Sequence, residues 1–475
     1  MGKSLVGNTA FYALGEIIPR VVSFIMLPFF TRYLSPSDYG IISYTNSVLV
    51  FLGFLGTLSL NSYVLRFYYE AKSETEKRSI IGTAYMAIGL FNLLLVIICF
   101  IALPSIIDRF NIQIPWNPYF KLAILTNFFT SFSTIPLAIY RVRQEANRYI
   151  VLSVSRSLLI VASNILFVIV LGKGIYGWFI STLIVSVPFF FIYAGIINKY
   201  ANFKLSFGRL KEGLKFSLPL VPGAISFYVL SLSDRIILER NESIAVLGIY
   251  NIAVTFTSAL GIAIQSGYKA LEPEVYNRYG KDGYYTFLRK TQKIYYIVVY
   301  LFAIILSFFA LEVFEIMTAK PYWEGAKYVP ILIIGVILNG QNSFYQCLLT
   351  AEKKTKLVGA VSVIGAIVSF TFNILFIPKW GAYAAATSYA ISYIIMNLVL
   401  YFSANYPEKN LIVDVLPLLC IVVISVIVNQ LFPETNLIAV IVKLFATLLM
   451  FFLLQIIFKT NLFKAFKNYL LTKRI

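Results

Sequence analysis

Apolar runs of about 20 residues, separated by short polar breaks, recur along this chain from near residue 10 to near residue 458. A helix that crosses a bilayer needs roughly that many apolar residues, so the pattern predicts spans. Fourteen emerge, near 10–33, 40–65, 80–103, 119–140, 150–171, 175–197, 217–238, 246–268, 294–317, 329–350, 357–377, 382–403, 415–431 and 437–458. The fifth and sixth are parted only by Gly172, Lys173 and Gly174.

The pattern also repeats on a longer scale. NILF begins at Asn164 in the fifth span and again at Asn373 in the eleventh, 209 positions apart. Each copy leads to a glycine break and a new span, at Gly174-Ile175-Tyr176 and Gly381-Ala382-Tyr383. A second pair agrees: Gly40 in DYGIISY opens the second span and Gly248 in VLGIYNI the eighth, 208 apart. The polar loops before each NILF, 141–149 and 350–358, match in kind. Two distant anchors with nearly one offset make the first six spans and the next six read as copies of one unit. Six crossings return the chain to its starting side, so the copies run parallel about an axis along the membrane normal. The expected fold is an all-α polytopic membrane protein of about fourteen transmembrane helices. Two parallel six-helix repeats form two lobes around a central cavity, and two C-terminal helices are added. The expected boundaries are 1–197 for the N-terminal lobe, 198–216 for an amphipathic cytoplasmic linker, 217–403 for the C-terminal lobe, and 404–475 for the added helices and a basic cytoplasmic tail. Rocking of such lobes about a central cleft is the usual basis of alternating access.

Composition agrees with a membrane protein. Hydrophobic residues make up 59% of the chain and charged residues 13%, against about 45–50% and about 25% in soluble domains. The net charge of +19 is a topology signal. Of the 40 Lys and Arg, 28 fall in one alternate set of loops and 6 in the other. The basic set faces the cytoplasm, which puts both termini there and calls for anionic lipid rather than nucleic acid as the partner. The N-terminal segment reads as a retained helix, because Glu16, Pro19 and Arg20 interrupt what would be a signal's apolar region. With no His, His-ligated metal sites and Ser-His or Cys-His catalysis are excluded. Cys99, Cys347 and Cys420 lie singly in apolar runs, with no disulfide or metal-ligand spacing. No Walker-type glycine loop is present. A glycosyltransferase or polymerase should carry a large extramembrane loop with carboxylates to bind metal or act as base. The longest loop here, 269–293, is basic, and its Glu272 and Glu274 flank Pro273 as a helix-end feature. A carrier is expected, not an enzyme, with no cofactor.

Charges within spans then become candidates, since each costs roughly 2.5–3.5 kcal/mol at helix centre on insertion scales. Glu16 and Arg20 lie one turn apart, and Arg20 sits roughly 15 Å into its span at about 1.5 Å per residue. Either they form a self-contained i,i+4 pair or they line the cavity. Arg156 lies in the serine-rich start of the fifth span, lining the cavity or snorkelling to the interface. Arg235 follows Asp234 and precedes Glu239, as a cavity group or an outer-rim snorkelling cluster. Arg32, Asp38 and Arg66 stand at span ends, where interface anchoring competes with a ligand role. Lys443, in the last span, is read as snorkelling. Proline accompanies charge in both lobe-opening helices, at Pro19 and at Pro219 and Pro222, and interrupted helices at matching places point to a transport site. Arginine pairs bidentately with phosphate.

Three stretches carry a family resemblance: LGEIIPRVVSFIMLPFFTRYLSPSDYG, SLSDRIILERNESIAVLGIYN, and LLTAEKKTKLVGAVSVIG with NILFIPKWGAYAAATSYAISY. In order and spacing they resemble the polysaccharide-biosynthesis (Wzx-type) flippases of the multidrug/oligosaccharidyl-lipid/polysaccharide exporter superfamily, over essentially the whole chain. The resemblance implies a flippase that carries undecaprenyl-diphosphate-linked oligosaccharide from the cytoplasmic to the outer face of the bacterial inner membrane. The product would be O-antigen, capsule or exopolysaccharide. It implies a cationic cavity to which Arg20, Arg156 and Arg235 contribute, with Arg32 and Arg66 as further substrate-binding candidates. Glu16, Asp38 and Asp234 become gating or ion-coupling candidates, for H+ or Na+. Glycosyltransferases and a polysaccharide polymerase are the implied protein partners. Relatives that flip the peptidoglycan lipid precursor carry two extra C-terminal helices lining a lipid-tail groove, which 415–431 and 437–458 would match by analogy. The alternative is a cation-coupled multidrug exporter of the same fold, which would favour acidic residues in the cavity.

Overall fold

A computed structural model describes residues 5–406, 411–432 and 434–458. Lys3 and the basic tail at 459–475 lie outside the described residues. Among the described residues the chain is helical throughout. It forms two compact units, Met1–Gly248 and Ile249–Ile475.

The first unit opens with α1 (Leu5–Ile25), α2 (Leu27–Phe30), α3 (Pro36–Thr57), α4 (Leu60–Glu70) and α5 (Glu74–Phe110). It continues with α6 (Lys121–Ser131), α7 (Thr134–Val142), α8 (Ala146–Asn164), α9 (Gly174–Tyr200), α10 (Phe207–Ser217) and α11 (Val221–Asn241). Helix α12 (Ile244–Arg278) crosses the division between units. The second unit holds α13 (Tyr284–Phe308), α14 (Ala310–Met317), α15 (Val329–Ala351), α16 (Thr355–Ser403), α17 (Leu411–Leu431) and α18 (Leu437–Ile457).

Eleven helices among the described residues are long and apolar enough to cross a membrane. One of them, Thr355–Ser403, has 49 residues, or roughly 70 Å at about 1.5 Å per residue, more than twice the hydrocarbon thickness. It contains two of the expected spans. Gly381 divides it with φ 52° and ψ −134°, outside helical geometry. The first-copy break behaves likewise: Gly172 and Gly174 take φ of 61° and 54°. A side chain is disfavoured in this left-handed region and glycine is not, so the repeated glycines mark true helix ends. The remaining two expected spans are α1 with α2, which is diluted by Glu16 and Arg20, and the shorter apolar stretch Leu416–Leu431.

The other repeated glycine pair is a packing device. A Cβ on Gly40 would strike the Ile244 carbonyl, and one on Gly248 the Pro36 carbonyl. The start of α3 and the start of α12 therefore touch backbone to backbone, the close approach that small residues permit in membranes.

Tyr63, Val64, Ile80, Ile88, Ile135, Ile139 and Ile197 are buried at the centre of the first unit. Helix α10 packs onto this core through Leu210, Leu214 and Phe216. Arg209 bonds both Glu76 and Glu212, the latter at 2.9 Å, and Tyr63 donates to Glu212 at 2.9 Å. The basic amphipathic segment is thus bolted to the helices beside it. In the second unit, α17 and α18 pack on α13. Helix α18 exposes Ile441, Leu444, Phe445, Leu448, Phe452 and Ile456 and buries Ala439, Lys443, Met450 and Leu454. That is the reverse of a soluble helix and marks a lipid-facing side.

Candidate functional site

Arg156 sits inside the first unit, on α8. Its Nη2 donates to Thr130 Oγ1 on α6 at 3.0 Å and to Ser186 Oγ on α9 at 3.4 Å. Its Nε is buried without a hydrogen-bond partner. Among the described residues no carboxylate pairs with it. Arg156 therefore points inward and does not snorkel. Neutral hydroxyls satisfy part of its five-donor fork, and its charge stays uncompensated. Ser131, next to Thr130, donates to Asn92 Oδ1 at 3.0 Å, while Asn92 Nδ2 donates to the Gly56 carbonyl at 3.0 Å. A polar seam thus runs from α8 through α6 to α5 and α3.

Helix α1 packs closely on α8. Glu16 accepts from Arg141 Nη2 at 2.6 Å, and the same nitrogen donates to Tyr149 at 2.8 Å. The Arg141 guanidinium also lies over the Tyr149 ring, 5.0 Å from its centroid. The i,i+4 partnership of Glu16 with Arg20 is accordingly replaced by a link to the end of α7. Arg20, one turn on, is exposed, and no described residue bonds or pairs with it. Arg32 is likewise exposed beyond α2, with no described side-chain partner.

The other candidates are engaged locally. Asp38 and Ser35 form a capping box at the start of α3, with Ser35 N donating to Asp38 Oδ2 at 2.8 Å and Asp38 N donating to Ser35 Oγ at 3.2 Å. Arg66 forms an exposed i,i+4 pair with Glu70 at 2.9 Å. Asp234 and Arg235 are buried, at 8% and 7% exposure. Arg235 Nη1 reaches Asp234 Oδ1 at 2.9 Å and the Ser231 carbonyl at 2.7 Å. Glu239 is also buried and accepts from the Gln113 backbone N–H at 2.6 Å. An exposed snorkelling cluster at this point is thereby corrected to a buried one. The structure places Glu16, Arg20 and Arg156 on the packed pair α1 and α8, while Asp38, Arg66 and the 234–235 pair each bond to near neighbours in the chain.

Lys443 corrects a further expectation. It is 0% exposed and pairs with Glu312 of α14 at 2.6 Å. It faces the protein because its neighbours on the opposite side of α18 are lipid-facing. A second charged cluster escaped the sequence reading at the turn between α7 and α8. Glu145 there accepts from Arg143 at 2.9 Å and from Arg148 at 2.6 Å. Burial opposes ionisation of Glu145, but these two guanidinium bonds outweigh it and hold the carboxyl below its ordinary range. The one available signal was charge sign: apolar spans carrying one acid and one base invite pairing, but which acid meets which base depends on the tertiary fold.

The fold defines a multi-span membrane protein, helical throughout its described residues. The family model for polysaccharide biosynthesis proteins matches residues 5–273, and the MatE family model matches 219–375. The chain belongs to the polysaccharide biosynthesis protein family, in agreement with the Wzx-type resemblance of its sequence. It is 24% identical over 279 residues to "Lsg locus putative protein 1" of Haemophilus influenzae, covering 57% of this chain and 65% of that protein. The chain thus matches just under two thirds of the length of that relative. It is 23% identical to "Capsular polysaccharide biosynthesis protein CapF" of Staphylococcus aureus, over 84% of this chain and 98% of that one. The solved structure titled "Lipid II flippase MurJ, inward closed conformation" shares the fold, with a TM-score of 0.70, 16% identity, and coverage of 95% of this chain and 98% of that one.

Proposed function

We propose that the protein flips undecaprenyl-diphosphate-linked oligosaccharide repeat units from the cytoplasmic to the outer face of the bacterial inner membrane. It does so by alternating access, without covalent chemistry, for surface polysaccharide synthesis. The observation that carries the reading is Arg156: an inward-pointing guanidinium held by two neutral hydroxyls, with no carboxylate among the described residues and one N–H unused. A cation in that state favours an anionic ligand, and guanidinium matches diphosphate geometry. Arg20, on the helix packed against α8, adds a second unpaired guanidinium. Family membership supports the glycan pathway. Both termini are assigned to the cytoplasm on the Lys/Arg bias.

The test is a strain lacking the gene, with undecaprenyl-diphosphate-linked repeat units probed on spheroplasts by a membrane-impermeant sugar-modifying reagent. Accumulation on the inner face, cleared by the wild-type gene and not by Arg156→Gln, is the expected result. Units that reach the outer face but stay unpolymerised would overturn flipping. The match to the MatE model favours one rival, a cation-coupled exporter. Unchanged lipid-linked sugars with altered drug sensitivity would select it.

A further inference from the structure

Away from Arg156, the first unit carries a cavity of about 210 Å³ at the ends of α4, α5 and α9 and the α7–α8 turn. Lys77, Arg78, Arg143 and Lys199 line it, with Tyr68 and Tyr200 as aromatic walls. One carboxylate, Glu74, also lines it and pairs with Lys77 at 2.7 Å. Arg143 is paired with Glu145 at 2.9 Å. Arg78 and Lys199 are exposed and have no carboxylate partner among the described residues.

The cations are held in place. The Lys77 ammonium lies 5.1 Å from the Tyr68 ring centroid, and the Arg143 guanidinium 4.8 Å from that of Tyr200. Arg143 Nη1 also donates to the Tyr68 hydroxyl at 3.4 Å. The floor is fixed by backbone, with the Asn202 N–H donating to the Arg78 carbonyl at 3.0 Å. The exposed Arg78 side chain rests against the Lys199 carbonyl through a long 3.5 Å contact. Lys77 and Arg78 stand near the start of a 37-residue helix, the end at which the helix dipole favours anions. Helix electrostatics alone does not explain cations there. The cavity lies where the apolar run of α5 begins, with Ile81 at its edge, and tyrosines favour that interfacial level.

We infer that this cavity binds a phosphate-bearing lipid headgroup at the interface of the basic-loop side of the membrane. Guanidinium and ammonium supply the anion contacts and the tyrosines border the headgroup. The residues differ from those of the transport reading, so this site stands whether or not that reading holds. Two lipids share the chemistry: an anionic phospholipid of the bilayer and a polyprenyl diphosphate.

The experiment is native mass spectrometry of the delipidated full-length protein, titrated separately with phosphatidylglycerol, undecaprenyl diphosphate, phosphatidylcholine and inorganic phosphate. The variants are Arg78→Gln/Lys199→Gln and, as a charge-matched control in the second unit, Lys281→Gln/Lys290→Gln. Both test residues are exposed, so the melting temperature should not change. Binding of one or both phosphate lipids should weaken about tenfold or more in the first variant and stay unchanged in the control. Loss confined to phosphatidylglycerol names bulk lipid as the source, and loss confined to undecaprenyl diphosphate names the prenyl carrier. Equal loss in both variants, no loss, or equal binding of phosphatidylcholine overturns the site. Inorganic phosphate binding as tightly as either lipid overturns the lipid assignment.

Discussion

Replacing Lys443 by Met should destabilise the second unit sharply. Lys443 is fully enclosed, and its ammonium contacts Glu312 Oε1 at 2.6 Å. The other carboxylate oxygen, Oε2, is already buried without a hydrogen-bond partner. Met fills the volume of the Lys stem, so little cavity forms and the loss is electrostatic. Removing one partner of a buried pair typically costs about 3–5 kcal/mol, because the remaining charge is stranded. Replacing both members by apolar residues is often neutral or stabilising by about 1–4 kcal/mol. The expected order of stability is therefore Lys443→Met lowest, with Lys443→Met/Glu312→Leu at or above wild type. Detergent-solubilised protein heated in steps and followed by fluorescence size-exclusion chromatography reads that order directly. A separate neutral tie, Asn429 Nδ2 to the Ser307 carbonyl at 3.2 Å, is untouched by these substitutions, so α17 should stay attached to α13 in the double variant. If Lys443→Met melted with wild type, or the double variant melted no higher than the single, the pair would not be an enclosed electrostatic contact.

Arg156→Met should leave melting unchanged or raised, since it removes an uncompensated, partly buried charge. It should nevertheless abolish flipping in the spheroplast assay, and a variant that transports normally removes Arg156 from the site. Gly248→Val should lower the yield of folded protein, because its side chain meets the Pro36 carbonyl. Overpacking of that kind costs about 1–3 kcal/mol or more, readable as a melting shift, whereas an unshifted variant would show that α3 and α12 are not in backbone contact. Glu145→Gln should cost about 1 kcal/mol at neutral pH, discounted for partial exposure. The folded pKa of Glu145 is depressed, so its contribution is present above the unfolded carboxylate value near about 4.3. It is lost as pH falls through the folded value, and wild type and variant should converge only in acid.

Spans and the glycine breaks between them were legible because each rests on a local property. Apolar length sets a bilayer crossing, and a glycine at left-handed φ breaks a helix wherever it stands. Gly174 and Gly381 therefore stand out in the sequence before any contact is known. The partners of charges are not local. Glu16 has Arg20 one turn away, yet its carboxylate meets Arg141, 125 positions on. Lys443 looks like a snorkelling residue in isolation, and only the burial of its side of α18 against α13 and α14 turns it inward. Capping also stays hidden at the level of charge: Asp38 sits three residues after Ser35 and before an apolar run, a capping-box pattern that an eye set on ion coupling passes over.

The within-span cations then sort by what surrounds them. Arg235 and Lys443 are buried with an acid, at 2.9 Å and 2.6 Å, and each is accounted for by the pair it makes. Arg156 is partly enclosed and is held by hydroxyls alone. Thr130 and Ser186 orient the guanidinium without neutralising it, so its field remains available to whatever anion enters. A carboxylate in either position would satisfy Arg156 and remove that field. Thr130→Glu is therefore the converse of Arg156→Met: it should raise the melting temperature by completing a buried pair with Arg156, and it should inhibit flipping by occupying the guanidinium. Transport at the wild-type rate in a Thr130→Glu protein that melts higher would mean that the charge of Arg156 serves the fold and not the ligand.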